Sequence, residues 1–145
     1  MNNKILTMVL TIKDADNKLR NIRGELAELV ENVKIKNGEF LIKIEPILKY
    51  GETSIDGETI LNRAKKIGNL AGQAHAERLL EQEKSIPEEW KGLTLIFAGT
   101  IWRDDGYRYI TYLKWCWNWR WELKSEWLIS NFHTFFYNLY LVRIF

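Results

Sequence analysis

All seven tryptophans, five of six tyrosines and five of six phenylalanines fall between Pro87 and Phe145, and four indoles alternate as Trp115, Trp117, Trp119 and Trp121. A segment this rich in rings must build an aromatic core or present rings to a partner, since aromatic side chains suit both. In one continuous strand the four indoles would share a face, with Cys116, Asn118 and Arg120 on the other. Core burial is the expected fate of most of them, because four adjacent exposed indoles would leave too much apolar area in water.

A chain of 145 residues at 46% apolar and 28% charged has room for one core with at most a small second lobe. Charge is balanced along it, with net +2 overall, so no basic face is built in and nucleic acid is not an expected partner. A single cysteine, Cys116, excludes an internal disulfide framework and a multi-cysteine metal site. The apolar stretch Ile5–Leu10 has only Lys4 ahead of it and no small-residue cleavage signal behind, so it reads as mature structure. Trp127 to Val142 carries no formal charge, yet it includes Ser130, Asn131, His133, Thr134 and Asn138 and is too short for a transmembrane helix.

Ile5, Met8, Ile12, Ala15, Leu19, Ile22, Leu26, Leu29 and Val33 follow a 3,4 spacing, the apolar seam of a heptad repeat. It predicts a long amphipathic helix able either to pair chains into a homo-oligomer or to pack against its own domain. The β-branched Thr7, Val9 and Thr11 leave a strand over residues 4–13, followed by a helix from about Asp16, as the alternative. Val33 to Glu45, with Asn37-Gly38 between alternating runs, predicts a two-stranded hairpin. Asp56 is a candidate cap for a helix over Glu58 to Lys84, whose small residues Ala64, Gly68, Ala71, Gly72 and Ala74 would admit a close neighbour. Beyond Pro87 the pattern becomes β-like. Strands are expected at Leu93–Phe97, Tyr107–Trp115, Trp119–Lys124 and Tyr140–Phe145, with turns at Asp104–Gly106 and near Cys116–Asn118. The expected whole is one α+β body, 1–56 contributing the helix and hairpin and 57–145 the main domain.

Catalytic groups are sparse. His75 lies among Ala74, Ala76 and Glu77 on a helix, where a lone histidine is usually structural or solvated. Asp104-Asp105-Gly106 is turn chemistry, and Cys116 has no neighbour to lower its pKa. No phosphate loop, paired metal-binding histidines or nucleophile elbow occurs. A small hydrolase would need His133 to meet Asp104 or Asp105, so a non-enzymatic protein without cofactor or metal is the expectation. Leu128 to Phe145 lacks Lys, Glu, Gln, Met and Trp, residue types that supply 38 of the 145 in the chain. Burial explains missing charges, but Ser130, Asn131, His133, Thr134 and Asn138 beside Phe135, Phe136 and Tyr137 have the composition of a recognition surface.

The order Leu95-Ile-Phe-Ala-Gly-Thr-Ile-Trp102-Arg-Asp, Tyr112-Leu-Lys-Trp115, Arg120-Trp121-Glu-Leu123, Trp127-Leu128 and Leu141-Val-Arg143 resembles the C-terminal domain of diversity-generating retroelement variable proteins. These are C-type-lectin-like and more distantly resemble formylglycine-generating enzymes. The resemblance implies a compact C-type-lectin-like domain of antiparallel strands with flanking helices over 57–145, with a variable region at about 115–140. In such systems adenines of a template repeat are mutated, and the resulting pyrimidine-ending codons cannot encode Trp, Met, Lys, Glu or Gln, the five types missing from the tail. The resemblance therefore implies that Trp115, Trp121 and Trp127 are scaffold. Variable ligand contacts would come from Cys116, Asn118, Ser130, Asn131, His133, Phe135, Phe136, Tyr137, Asn138 and Tyr140, while Leu139, Leu141, Val142 and Ile144 form a buried closing strand. Formylglycine-generating chemistry needs more than one cysteine and is not implied. The expected function is display of a diversified aromatic and polar surface to a protein ligand, with carbohydrate as the other candidate. The alternative is a phage- or mobile-element-encoded protein that binds or inhibits one fixed partner.

Overall fold

The computed structural model describes residues 5–145, so Met1–Lys4 of the expected N-terminal region lie outside the described residues. The chain forms a mixed α+β domain, mostly antiparallel strands with two α-helices. Its strands are β1 (Thr7–Ile12), β2 (Glu28–Asn32), β3 (Gly38–Pro46), β4 (Ser54–Asp56), β5 (Thr94–Asp104), β6 (Tyr107–Cys116), β7 (Arg120–Trp127), β8 (Asn131–His133) and β9 (Leu139–Ile144). The helices are α1 (Gly57–Ile67) and α2 (Gln73–Glu81), and short 3-10 turns at Glu83–Ser85 and Glu88–Gly92 lead into β5. The main sheet has the order β1-β3-β9-β5-β6-β7, with β2 on the outer half of β5, and β4 and β8 form a separate pair. Only β5 and β9 run parallel.

The expected N-terminal helix is not formed. Met8, Leu10 and Ile12 are buried while Thr7 and Val9 face outward, so period two prevails over the 3,4 seam in β1. β-branched alternation packs on a sheet, and the heptad reading borrows one residue from each turn of the same apolar set. After Ile12 the chain is irregular, because Asp14 takes φ 51° and polar side chains serve the main chain. Asn37 Oδ1 accepts the Ala15 N–H at 2.8 Å, and Asn17 Oδ1 accepts the Ile35 N–H at 2.9 Å. Ala15, Leu19 and Ile22 still rest on the core, whereas Leu26 and Leu29 are exposed. The seam therefore offers no continuous stripe for pairing chains. The hairpin expected around Asn37-Gly38 is corrected too. Only its second arm is a strand, β3, and it pairs with β1 and β9 instead of with residues 33–37. Strands from both sides of residue 56 thus share one sheet.

The helix expected over Glu58–Lys84 is broken in two. Asp56 is its N-cap residue, as expected, and receives the Thr59 hydroxyl. Gly68, at φ 82°, closes α1 with its N–H on Ala64 O, and Gly72 opens α2. Between them Ala71 bridges two strands, its N–H on Val142 O and its carbonyl accepting the Gly99 N–H. A Cβ at Gly72 would lie 2.6 Å from Thr100 Oγ1. The small residues do admit a close neighbour, namely the β5 bulge, and that approach ends the helix.

β5 carries the core on both faces. Leu95 and Phe97 join Leu10, Leu79, Trp90, Leu113 and Trp121 under α2, whereas Ile96, Ala98 and Ile101 join Ile60, Leu61, Phe132 and Leu141 under α1. The irregularity between Phe97 and Ile101 returns Ile101 to the face of Ile96. Leu139, Leu141 and Val142 are buried in β9 between β3 and β5, which makes it the expected closing strand. No helix among the described residues is long and apolar enough to cross a membrane.

Candidate functional site

The four alternating tryptophans do not share a strand. β6 and β7 meet at a three-residue turn, Trp117–Trp119, closed by the Cys116–Arg120 pair and by the Trp119 N–H on Cys116 O at 3.0 Å. The turn folds the run back on itself, so Trp115 and Trp121 become cross-strand partners, their rings edge to face at 5.9 Å. Trp121 is buried, and Trp115 is half-buried beneath Lys91 Nζ, 4.0 Å from its ring centre. Trp117 and Trp119 are 92% and 78% exposed. Burial of most of the ladder was the expectation; half of it is in water.

Trp119 also takes φ 64°, the left-handed position that follows a type I turn in three-residue hairpins and normally belongs to Gly or Asn. A Cβ there costs about 1–2 kcal/mol. Packing does not recover it, because the ring is mostly in water.

A second loop reaches the same end. Lys114 Nζ donates to Phe136 O at 2.9 Å and lies 5.0 Å from the Tyr137 ring centre, while the Thr94 N–H, opposite Lys114 in the sheet, donates to Asn138 O at 2.8 Å. Phe135 and Phe136 are 89% and 63% exposed and pack edge to face at 5.0 Å. Beneath them the His133 carbonyl accepts the N–H groups of Phe136 and Tyr137, both at 3.0 Å. Tyr137 is scaffold, its ring packed on Phe132 at 5.0 Å and on Tyr112 at 6.0 Å. Burial, then the neighbouring Tyr137 hydroxyl, pushes the Tyr112 phenol well above its ordinary range.

Of the ten expected contacts, the structure brings Cys116, Asn118, Phe135, Phe136, Tyr137 and Asn138 to this end. Asn118 is exposed with Nδ2 on Glu122 Oε1 at 3.2 Å, and the half-buried Cys116 thiol is pushed up by burial and by Glu122. Ser130, Asn131 and His133 lie along the β4–β8 pair. Ser130 O receives the Gly57 N–H where α1 begins, near the Trp127–Tyr109 end of the hairpin. Tyr109 and Lys114 are five residues apart along β6, about 17 Å, so Ser130 and Asn131 flank the aromatic end rather than belong to it. Tyr140 is corrected: it is buried in β9, opposite Pro46 and Leu95, and is not part of the aromatic end. What the sequence reading missed is Trp117 and Trp119, and the signal was the short turn itself.

His75 is buried at the start of α2, where Nδ1 accepts the Gly72 N–H at 2.9 Å, and burial lowers its pKa to about 4. Among the described residues His133 has no hydrogen bond or ion pair to Asp104 or Asp105, and no group of three or more His, Cys, Asp or Glu is placed to hold a metal. Comparison with protein-family models, with curated proteins and with solved structures returns no match for this chain.

Proposed function

We propose that the chain is a non-enzymatic ligand-binding protein, on a C-type-lectin-like scaffold, that meets a protein partner with the rings of the β6–β7 turn and the 134–138 loop. The observation that carries this reading is Trp119, a mostly exposed indole in a backbone position that penalises it, beside three further exposed rings. An outlier that costs stability and returns no packing is what a contact residue looks like. Trp115 and Trp121 fix the strands beneath, so the turn is held before binding and little entropy is lost on contact.

In this proposal the retroelement varies Asn118, Ser130, Asn131, His133, Phe135, Phe136 and Asn138 on a constant frame. Trp117 and Trp119, which pyrimidine-ending codons cannot encode, are constant anchors. A reverse-transcriptase gene beside a near-copy of the segment encoding residues 115–145, differing at template adenines, is the expected genomic context. Neighbouring DNA with neither feature removes the retroelement and leaves the second reading, one fixed partner. The two constant indoles among the four exposed rings favour that reading. For either, replacing Trp117, Phe135 and Phe136 by Ser is expected to abolish partner capture with little change in melting temperature, and retained capture refutes both.

A further inference from the structure

Among the described strands β7 lies at an edge, bonded to β6 alone. The Trp121 N–H donates to Glu83 Oε1 at 3.0 Å, so the main chain of Trp121 faces away from β6. Antiparallel alternation then turns Leu123, Ser125 and Trp127 the same way. Two contacts agree with this: Arg23 Nη2 donates to Ser125 O at 3.3 Å, and the Trp127 N–H donates to Glu126 Oε1 at 2.9 Å. Glu83 supplies an acceptor and Arg23 a donor where a neighbouring strand would place its carbonyl and its N–H. Trp121 and Ser125 are about 13 Å apart along the strand, and among the described residues no side chain serves Leu123 between them.

A hollow of about 470 Å³ runs along this edge, past Arg120–Lys124. Through Leu80, Glu83, Arg120 and Trp121 it joins a groove of about 760 Å³ that reaches Trp115 and Lys91. The charges on these walls are unequally available. Glu83 holds the Trp121 N–H, Glu88 pairs with Lys91 at 2.9 Å, Glu81 with Arg78 at 3.4 Å, and Glu122 receives Asn118 and pairs with Lys124 at 3.7 Å, while Arg20 adds a further cation to the wall. Among the described residues the side chains of Lys84 and Arg120 make neither an ion pair nor a hydrogen bond. An acidic side chain therefore meets two cations with no competing bond, whereas each carboxylate on the same walls already accepts one.

We propose that the free edge of β7 takes an extended peptide bearing acidic side chains, added as a further strand that bonds the Leu123 main chain while its acids meet Arg120 and Lys84. This rests on the ligand-binding reading of the hairpin tip, since Asn118 and Arg120 border both the tip and the groove. Glu83 and Arg23 hold the edge until the peptide arrives. Without a peptide partner they would serve only to keep the edge from pairing with other chains.

The experiment is selection of a displayed random-peptide library on the full chain, then amide exchange by NMR with an enriched peptide. Enriched peptides are expected to be acidic, to slow exchange at Leu123 and Ser125, and to bind about tenfold more weakly to a Lys84→Glu, Arg120→Glu variant. Lys84→Gln with Arg120→Gln serves if the reversal unfolds the chain, with a smaller loss expected. Absence of enrichment, enriched peptides indifferent to Arg120, or sedimentation showing that the edge pairs with a second copy would each overturn the proposal. A Trp117→Ser, Phe136→Ser variant separates the two readings. Peptides that need these rings but not Arg120 leave the tip standing and sink the groove, and peptides that need Arg120 but not the rings sink the tip.

Discussion

Replacing Trp119 by Asn and by Ala isolates the strain on which the functional reading rests. Both substitutions delete the same ring, whose small covered fraction is lost equally. They differ in how they tolerate φ 64°, since Asn enters the left-handed region several-fold more readily than other non-glycine residues. Trp119→Asn is therefore expected to be more stable than Trp119→Ala by about 1 kcal/mol, a melting difference of about 4 °C for a chain of this length. Far-UV circular dichroism is the appropriate assay, because indole fluorescence changes with the substitution itself. Trp119→Gly fits the same conformation but also loosens the unfolded chain, so it should fall between the two. Partner capture should weaken in all three. If Ala proves as stable as Asn, Trp119 is not strained and the argument from cost to function fails.

The other predictions concern the scaffold. Trp121→Ala is expected to cost about 3–5 kcal/mol in urea denaturation, whereas Trp117→Ser, in the same turn as Trp119 and almost wholly in water, should stay within about 0.5 kcal/mol. Gly57→Ala puts a Cβ 2.5 Å from Leu128 Cα and 2.7 Å from its carbonyl oxygen, both main chain, so a net loss of about 1–3 kcal/mol is expected despite the better helix propensity of alanine. His75 is held neutral in the fold to about pH 4 but protonates in the unfolded chain near its ordinary value of 6.5. Its contribution is complete above pH 6.5 and is lost as pH falls from 6.5 towards 4, on the order of 3 kcal/mol across that window. His75→Gln should flatten the unfolding free energy there, and an unchanged slope would mean that burial does not hold the His75 pKa down.

The C-terminal half was legible because its signals are local. Asp104-Asp105-Gly106 turns the chain as its composition requires, with Asp105 at φ 51° and Gly106 at φ 81°. β6, β7 and β9 begin and end within a few residues of their expected bounds. The N-terminal half misled because two periods fit one apolar set. Met8 and Ile12 serve a 3,4 seam and an alternating strand equally, and the choice was made by β3, whose partners lie 26 or more residues downstream and offer β1 a ladder. The break at Gly68–Gly72 is tertiary in the same sense: it needs the β5 bulge, which the helix pattern does not contain.

The site divides by the same logic. Polar and small aromatic residues of the tail suggested a surface, yet whether a particular ring lies in the core or in water depends on which strand pairs with which. Tyr137 and Phe136 are neighbours of like composition, but only Tyr137 has Phe132 and Tyr112 beneath it. Tyr140 looked like a contact until β9 was placed between β3 and β5. The tryptophans carry the converse lesson. Period two predicts one shared face only while the strand is continuous, and a three-residue turn inside the run sends Trp115 and Trp121 to the core and Trp117 and Trp119 to water. The same four residues thus supply both the rigid base and the exposed rings. Binding by this tip would then need no rearrangement of the sheet beneath it.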